Sequence, residues 1–224
     1  MAGQVKSRQR VTDFGEVFTN EREVNAMLDL VKQETERIES RFLEPACGNG
    51  NFIAEVLRRK LAVVRSRYRR SPGEYQRYAF LAVSSIYGVE IQPDNTQECR
   101  DRLFTIVEKD ARSAIKGKVE PAFLDAISYV LEKNILCGDA LTLKDANGEP
   151  ITFAEWSMVT GDLVKRRDFL LSELLEGNVE KGGQASLFGE ANALWEFDEE
   201  IQAYLPAAIR EYPPVDYREV GRNG

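Results

Sequence analysis

The sequence predicts an α/β protein built on a doubly wound parallel sheet. Three short apolar segments each end at an acidic residue, Glu44, Glu90 and Asp139, and segments with apolar residues at helical spacing lie between them. In a doubly wound sheet, ligands bind at the carboxyl ends of the strands. The three carboxylates are therefore expected to line one cleft.

The first of these segments runs through a glycine turn into a helix. Residues 41–52 read RFLEPACGNGNF, so Gly48 and Gly50 follow the strand end. Glycines let the backbone approach a ligand closely, and the start of a helix presents free backbone N–H groups. The carboxylate of Glu44 would repel a pyrophosphate, and no lysine follows the turn as it does in nucleoside triphosphate sites. The segment indicates a nucleotide-like cofactor that carries a cationic group.

Composition places the chain in a broad class. Its 224 residues fit one domain with appendages, and 43% hydrophobic with 30% charged residues is typical of a soluble globular protein. No apolar run approaches membrane-spanning length, and the N-terminus lacks a signal-peptide core, which predicts a cytoplasmic protein without a membrane partner. The three cysteines have no metal-ligand spacing and there is no histidine. Reduced thiols and no bound metal are expected.

The chain divides into three parts. The polar, basic residues 1–10 predict a disordered arm, residues 11–175 the folded domain, and residues 176–224 a linker and acidic tail. Within the domain, residues 148–159 and 163–170 fit either a strand pair or a strand and a helix.

The segment LEPACGNGNF at residues 43–52 resembles the cofactor motif of S-adenosylmethionine (SAM)-dependent DNA methyltransferases, in particular the adenine-N6 enzymes of restriction–modification systems. That motif reads as an acidic residue, Pro, two small residues or a Cys, Gly-x-Gly and an aromatic. The resemblance implies a Rossmann-like SAM-methyltransferase sheet. It also implies cofactor contacts from the motif residues Glu44, Pro45, Ala46, Cys47, Gly48, Gly50, Asn51 and Phe52.

Three further segments resemble the same family. GEVFT at 15–19 is similar to a Gly-x-x-x-Thr-Pro segment that packs over the methionine end of SAM, which implies a hydroxyl contact from Thr19. YGVEI at 87–91 implies Glu90 on the ribose and Ile91 on the adenine face. GDA at 138–140 implies an acceptor for the adenine amino group at Asp139, beside Ala140. Taken alone, Glu90 is also consistent with a surface carboxylate and Asp139 with a simple turn.

The family's catalytic motif is missing. Adenine-N6 enzymes carry (Asp/Asn/Ser)-Pro-Pro-(Tyr/Phe/Trp) after the fourth strand, to hold the target amino group and stack on the flipped base. The Pro-Pro pair of this chain, Pro213-Pro214, stands between Tyr212 and Val215. We therefore predict a sheet truncated after the third strand with a short appended C-terminal region. The catalytic residues stay unknown, and a partner subunit is expected to supply the motif.

Two basic clusters are candidate DNA contacts. Seven basic residues and no acidic one lie between Arg58 and Arg70, and a second cluster follows at residues 165–167. The alternative is a solvated helix face, since apolar residues recur at helical spacing through the first cluster. The candidate contacts are Arg58, Arg59, Arg65, Arg69, Lys165 and Arg166.

The sequence QASLF at 184–188 resembles the short peptide by which bacterial proteins bind the replication sliding clamp. The resemblance implies that Gln184, Leu187 and Phe188 would enter a hydrophobic pocket of the clamp. The alternative is a linker hydrophobe that folds back on the domain.

These resemblances imply a DNA methyltransferase-like protein of a restriction–modification system that moves a methyl group from SAM to adenine N6 by direct displacement, alone or with a partner. Two alternatives stay open. One is a non-catalytic SAM-binding or partner-binding subunit of a DNA-modification or defence system, and the other is a SAM methyltransferase with a substrate other than DNA.

Overall fold

A computed structural model describes residue 10 and residues 19–176, 195–198, 203–206 and 208–222. The predicted clamp-like peptide at 184–188 lies outside the described residues, as do residues 1–9 of the predicted arm. Arg10, the last residue of that arm, donates hydrogen bonds of 2.7 and 2.8 Å to the Asp94 carboxylate.

The first sheet contains three parallel strands in chain order and a short fourth strand that is antiparallel to the third. These strands are β1 (Phe42–Glu44), β2 (Ile86–Glu90), β3 (Ile135–Asp139) and β4 (Lys144–Asp145). The helices that precede or connect them are α1 (Glu21–Asp29), α2 (Lys32–Thr35), α3 (Asn51–Tyr68), α4 (Pro72–Ser84), α5 (Pro93–Ala114) and α6 (Pro121–Asn134). Each crossover between parallel strands therefore contains two helices.

The two faces of the parallel sheet pack against different elements. Paired residues of neighbouring strands share a face. Phe42 and Ile86 belong to the large core that α3 to α6 complete. On the opposite face, Tyr87 and Val89 pack in a second apolar cluster with Phe153 of the following sheet. The described residues thus form an α/β fold with mixed sheets, which is compatible with the predicted Rossmann-like fold. An antiparallel sheet lies on the face where a doubly wound sheet has its second helical layer.

The second sheet settles the open alternative for residues 150–170. A hairpin forms there, from β5 (Thr152–Met158) and β6 (Leu163–Leu170), and α7 (Leu171–Glu176) follows directly. Alternate residues of β5 face different clusters: Phe153 joins the smaller one, and Trp156 joins the large core. This period-2 alternation is what a strand buried on both faces requires.

The described C-terminal residues return to this sheet. The remaining elements are β7 (Trp195–Asp198), β8 (Ala203–Pro206), β9 (Arg210–Glu211), β10 (Val215–Asp216) and a 3-10 helix (Tyr217–Glu219). Strands β9 and β10 pair with β6, and Tyr217 is 1% exposed within the large core. The predicted boundary at residue 175 therefore does not hold for residues 208–222, because their apolar side chains complete the domain.

Local sequence explains where two of the helices begin. Asn20 caps α1, since its Oδ1 accepts a hydrogen bond of 3.0 Å from the Glu23 backbone N–H. Helix α5 begins at Pro93, because proline favours the first helical position, where its missing N–H costs nothing. Asp94 lies in the first turn of this helix, where a negative charge is favourable. No described helix is long and apolar enough to cross a membrane.

Helix α3 carries a lysine into the core. Lys60 is fully buried, and its ammonium donates hydrogen bonds to Ile38 O (3.0 Å), Ser40 O and Ser85 Oγ (2.5 Å). These partners hold the chain before β1 against the chain before β2. Burial lowers the pKa of Lys60 to about 7, although the nearby carboxylates of Glu34 and Glu39 act in the opposite direction.

We expect Lys60 to make stability depend on pH. Between about pH 7 and its ordinary pKa near 10.4, the unfolded chain binds a proton that the folded chain does not, so the free energy of unfolding rises with pH by at most about 1.4 kcal/mol per unit. Denaturant unfolding of the native chain and of Lys60→Met at pH 6, 7, 8 and 9 checks this. The native-minus-variant difference should increase above pH 7, and a constant difference would show that the three oxygens keep the ammonium charged.

Candidate cofactor site

The predicted site residues of the three parallel strands meet at one edge of the sheet. Glu44 is paired with Gly88, two residues before Glu90, and Glu90 is paired with Cys137, two residues before Asp139. All three acidic residues end their strands. The structure therefore brings them to the carboxyl edge of the sheet, in a staggered row that advances two residues at each strand.

The glycine turn joins this edge to helix α3. Gly48 and Gly50 have φ values of 53° and 85°, in the left-handed region that favours glycine. The turn is anchored to the neighbouring strand, because the Cys47 N–H donates to Val89 O at 3.0 Å. The Gly50 N–H donates to Cys47 O at 2.8 Å and closes the turn. The chain thus enters α3 directly above the ends of β1 and β2.

Two glycines near the turn are required by protein packing. A Cβ atom on Gly50 would lie 2.7 Å from Cys99 Sγ, and one on Gly88 would lie 2.9 Å from Cys47 Sγ. Both distances are shorter than a Cβ contact allows. The sequence suggested that Gly50 admits a ligand, but the close neighbour in the structure is helix α5.

The two cysteines at this packing point are buried. Cys47 is 6% exposed and Cys99 is 0% exposed. A hydrogen bond to Cys99 and burial raise the pKa of the Cys47 thiol well above its usual range. A thiol in this state is a poor nucleophile. Cys47 therefore acts as a packing residue of the turn and not as a reactive group.

Glu90 fixes the position of the turn. Its Oε2 accepts a hydrogen bond of 2.9 Å from the Gly48 N–H, and its Oε1 accepts one of 2.9 Å from the Gln92 N–H and a weaker one of 3.4 Å from Asn95 Nδ2. A carboxylate has about four acceptor positions. One position is left for a ligand hydroxyl, so Glu90 is mainly a positioning group that can also accept one hydrogen bond from a ligand.

Glu44 is more available than Glu90. Its side chain is half-buried at the end of β1. Burial raises the pKa of Glu44 above its ordinary value, and a hydrogen bond from the Ala46 backbone N–H partly offsets this effect. A partly desolvated carboxylate of this kind attracts a cationic ligand group more strongly than one in water.

Asp139 organises the turn that follows β3. Its Oδ1 accepts a hydrogen bond of 2.9 Å from the Leu141 N–H, and its Oδ2 accepts one of 3.1 Å from the Thr142 hydroxyl. These bonds lower the pKa of Asp139. Asp139 therefore stabilises a turn, which was the alternative interpretation of this residue. The remaining acceptor positions of its carboxylate are open to a ligand. Ile91 is 50% exposed beside it, and Ala140 packs against the smaller apolar cluster.

The start of helix α3 offers backbone donors. Among the described residues, no acceptor is found for the N–H groups of Asn51, Phe52 and Ile53, whereas the Ala54 N–H donates to Gly50 O. Asn49, in the turn itself, is 8% exposed and donates to Glu98 Oε1 at 3.0 Å, but its Oδ1 has no partner in the described part. The site therefore combines free N–H donors, one buried free acceptor and three carboxylates.

Asn51 connects the turn with two other segments. Its Nδ2 donates to Thr19 O at 3.2 Å, and its Oδ1 accepts a hydrogen bond from Arg102 of α5. Thr19 therefore contacts the start of α3 through its main-chain oxygen, while its side chain is exposed. The hydroxyl contact between Thr19 and SAM stays a prediction. Asn49 and Arg102 are not among the site residues predicted from the sequence. The placement of Asn49 between two glycines was the signal for the first, and nothing local signals the second.

Most of the predicted DNA contacts on α3 are paired with carboxylates. Arg58 lies 3.3 Å from Glu55, Arg59 lies 2.8 Å from Asp29, and Arg65 lies 2.6 Å from Asp110. The apolar residues Leu57, Leu61 and Val64 are buried on the opposite side, as an amphipathic helix requires. The solvated-face alternative therefore describes these three arginines. Arg69, just beyond the helix, is exposed without an ion pair among the described residues.

The predicted DNA contacts of the second basic cluster, Lys165 and Arg166, also form ion pairs within the protein. Lys165 lies 2.8 Å from Glu211. Arg166 donates to both oxygens of Asp168 (2.7 and 2.9 Å), lies over the Tyr212 ring, and has a side chain only 12% exposed. The prediction that Arg166 contacts DNA is wrong, because this guanidinium joins β6 to the connection between β9 and β10. The Pro213-Pro214 pair also lies in that connection and not at the end of a parallel strand.

The strand order, the glycine turn and the row of carboxylates belong to an α/β domain. A sequence similarity supports a methyltransferase-like relationship. Over 107 residues the chain is 27% identical to the protein named DNA methyltransferase A from Bacillus subtilis (strain 168). The match covers 46% of this chain and 12% of the length of that protein. No family model and no solved structure matches the chain.

Proposed function

We propose that this chain binds SAM at the carboxyl edge of the parallel sheet and is the cofactor-binding part of a DNA methyltransferase that modifies adenine N6. The observation that carries the proposal is the position of Glu44, Glu90 and Asp139 along one edge, beside the free N–H groups at the start of α3. The partial similarity to a DNA methyltransferase supports the same reaction class.

The donor and acceptor groups fit the parts of SAM. The methionine end is a zwitterion, and the site offers a partly buried carboxylate, Glu44, for its ammonium group. The N–H groups of Asn51–Ile53 suit its carboxylate, because a helix N-terminus favours negative charge. Glu90 has one acceptor position for a ribose hydroxyl, and Asp139 can accept from the adenine amino group. In bound form SAM supplies an electrophilic methyl group.

A partner subunit completes the proposed enzyme. The catalytic motif, which is a polar residue followed by two prolines and an aromatic residue, is not found in this sequence. Its Pro-Pro pair lies in the connection between β9 and β10. An exocyclic amine is a poor nucleophile until its hydrogens are held, so the proposed reaction needs groups beyond this motif-free segment, and we propose that a partner subunit supplies them. This same observation favours the second candidate, a SAM-binding subunit that regulates a DNA-modification system without catalysis of its own.

Calorimetric titration with SAM tests the proposal, with Glu44→Gln as the informative variant. This change keeps the size of the side chain and removes its charge. We expect the affinity to fall by about 10- to 100-fold, the equivalent of one charged hydrogen bond of roughly 1.5–3 kcal/mol. The matched control is Glu74→Gln, an exposed glutamate in the first turn of α4, which should bind SAM normally.

The pH dependence of the SAM affinity tests whether the charge of Glu44, and not only its shape, contributes to binding. Because the pKa of Glu44 is raised, acidification protonates it and removes the attraction for the ammonium group. The affinity of the native chain should therefore fall as the pH is lowered toward 5, and the Glu44→Gln variant should lack this component. Absence of SAM binding by the native chain would refute the proposal.

Labelled SAM and unmethylated DNA then distinguish the two candidates. Methyl transfer that requires the chain together with a partner carrying a Pro-Pro-aromatic motif supports the split enzyme. SAM binding without transfer in any such mixture supports the regulatory subunit.

A further inference from the structure

Three arginines at the far end of helix α3 stand apart from the paired ones. Arg67, Arg69 and Arg70 are exposed, and none forms an ion pair among the described residues. The other basic residues of this stretch are either paired with carboxylates or buried, as described above. Within the stretch from Arg58 to Arg70, the positive charge that has no ion-pair partner among the described residues is therefore concentrated where α3 ends.

A pair of tyrosines gives this end of the helix a fixed shape. The rings of Tyr68 and Tyr78 are stacked with centroids 3.9 Å apart and an interplanar angle of 3°. Arg77 lies over the Tyr78 ring at 5.0 Å and donates to Gly161 O at 3.2 Å. Arg67 lies beside Tyr68. These contacts fix the connection between α3 and α4, and with it the backbone of the three arginines.

The acidic neighbours of this surface are few. Glu74 is exposed in the first turn of α4, and Asp162 lies at the limit of ion-pair distance, 4.0 Å, from Arg77. Asp110 is already paired with Arg65 at 2.6 Å. The surface is thus locally positive on a chain with a formal net charge of −7. A polyanion would be repelled by most of the molecule and attracted here.

The position of this surface separates it from the cofactor site. Helix α3 has 18 residues, so its ends are about 27 Å apart at 1.5 Å per residue. The glycine turn is at one end and the arginines are at the other. Along a DNA strand this distance corresponds to roughly 8 nucleotides at 3.4 Å each.

We propose that Arg67, Arg69 and Arg70 form a docking surface for the phosphate backbone of duplex DNA, remote from the site of methyl transfer. We call these three residues the distal arginine surface. The proposal rests on the proposed function for the choice of DNA as the polyanion. It adds a second point of attachment that fixes the position of the duplex and does not read its sequence.

Salt-dependent binding of a 30-base-pair duplex, followed by fluorescence anisotropy, tests the distal arginine surface. Each phosphate contact contributes about 0.9 to the slope of log affinity against log salt concentration. The variant Arg67→Gln/Arg69→Gln/Arg70→Gln should therefore reduce the slope by about 2 to 3. Replacement of the same three residues by lysine should preserve the slope.

The matched control is Arg37→Gln/Lys116→Gln/Lys118→Gln, which removes three exposed positive charges elsewhere. It should leave the slope nearly unchanged. Equal losses in the two triple variants would overturn the proposal, because they would show an effect of net charge alone. Failure of the native chain to bind the duplex would also overturn it.

Two further measurements distinguish DNA binding by the distal arginine surface from binding of an acidic polypeptide and from the proposed SAM binding. A polyglutamate peptide that binds as tightly as the duplex, and loses binding in the arginine variant, would assign the surface to an acidic polypeptide and overturn the assignment to DNA. SAM titration into the arginine variant should give the native affinity. If the native chain binds the duplex through these arginines but does not bind SAM, the proposed function fails and the distal arginine surface stands.

Discussion

Replacement of Asn134 by leucine is expected to lower the free energy of unfolding by about 4 kcal/mol. Asn134 is fully buried at the end of α6, donates to Ser84 O (3.1 Å) and Ile86 O (3.2 Å), and accepts from Trp156 Nε1 (3.1 Å). Leucine would leave two carbonyls and an indole N–H unpaired in the core, at about 1–3 kcal/mol each. Denaturant unfolding measures the loss.

A comparison with Trp156→Phe tests this explanation. That change leaves only the Asn134 Oδ1 without a partner and should cost about 1–3 kcal/mol in addition to the lost packing. In the double variant the indole N–H is absent, so the total loss should be smaller than the sum of the two single losses. Additive losses, or a cost below 1 kcal/mol for Asn134→Leu, would show that water satisfies these groups.

Gly50→Ala is expected to destabilise the domain by about 3 kcal/mol. Alanine in the left-handed region, at φ 85°, costs roughly 1–2 kcal/mol. Its Cβ would also lie 2.7 Å from Cys99 Sγ, and an overpacked core costs typically about 1–3 kcal/mol. Thermal and denaturant unfolding measure the sum of the two effects.

Two further variants distinguish the backbone strain at residue 50 from the steric clash with Cys99 Sγ. The added change Cys99→Ala removes the sulfur, so the double variant should recover about 1–2 kcal/mol relative to additivity and retain the backbone strain. Gly73→Ala is the control, because a Cβ there meets no atom within 4 Å and the residue lies in helix α4. It should be neutral or slightly stabilising. Equal effects at both glycines would contradict the packing explanation.

The parallel half of the fold could be predicted because its signals are local. The strands before Glu44, Glu90 and Asp139 are short apolar runs between helical segments of clear periodicity. The edge at which they meet follows from the geometry of parallel sheets. The meeting of Glu44, Gly48 and Glu90 at one edge of the sheet could therefore be predicted from the sequence. The choice of SAM as the cofactor is a prediction that comes from the family resemblance.

The remaining features depend on contacts between distant residues. Strand β10 pairs with β6 across about 50 residues of chain, and nothing local in its proline-containing sequence distinguishes it from a tail. Arg166 looked like a free cation because its partner Asp168 and the ring of Tyr212 are specified by tertiary structure. The pairing of Gly50 with Cys99 is equally invisible in sequence. A basic cluster indicates charge, but only coordinates show which charges are compensated.

The stagger of the three acidic residues at the strand ends sets the distances between them along the edge of the sheet. Neighbouring strands are about 4.8 Å apart, and two residues along a strand add about 6.6 Å, so successive acidic residues are separated by roughly 8 Å and the outer two by roughly 16 Å. A small inorganic anion or a lone nucleobase cannot bridge that span. If the proposed cofactor contacts all three residues, it must be an elongated molecule with polar groups at both ends and in the middle, and a shorter analogue would lose one of the three contacts.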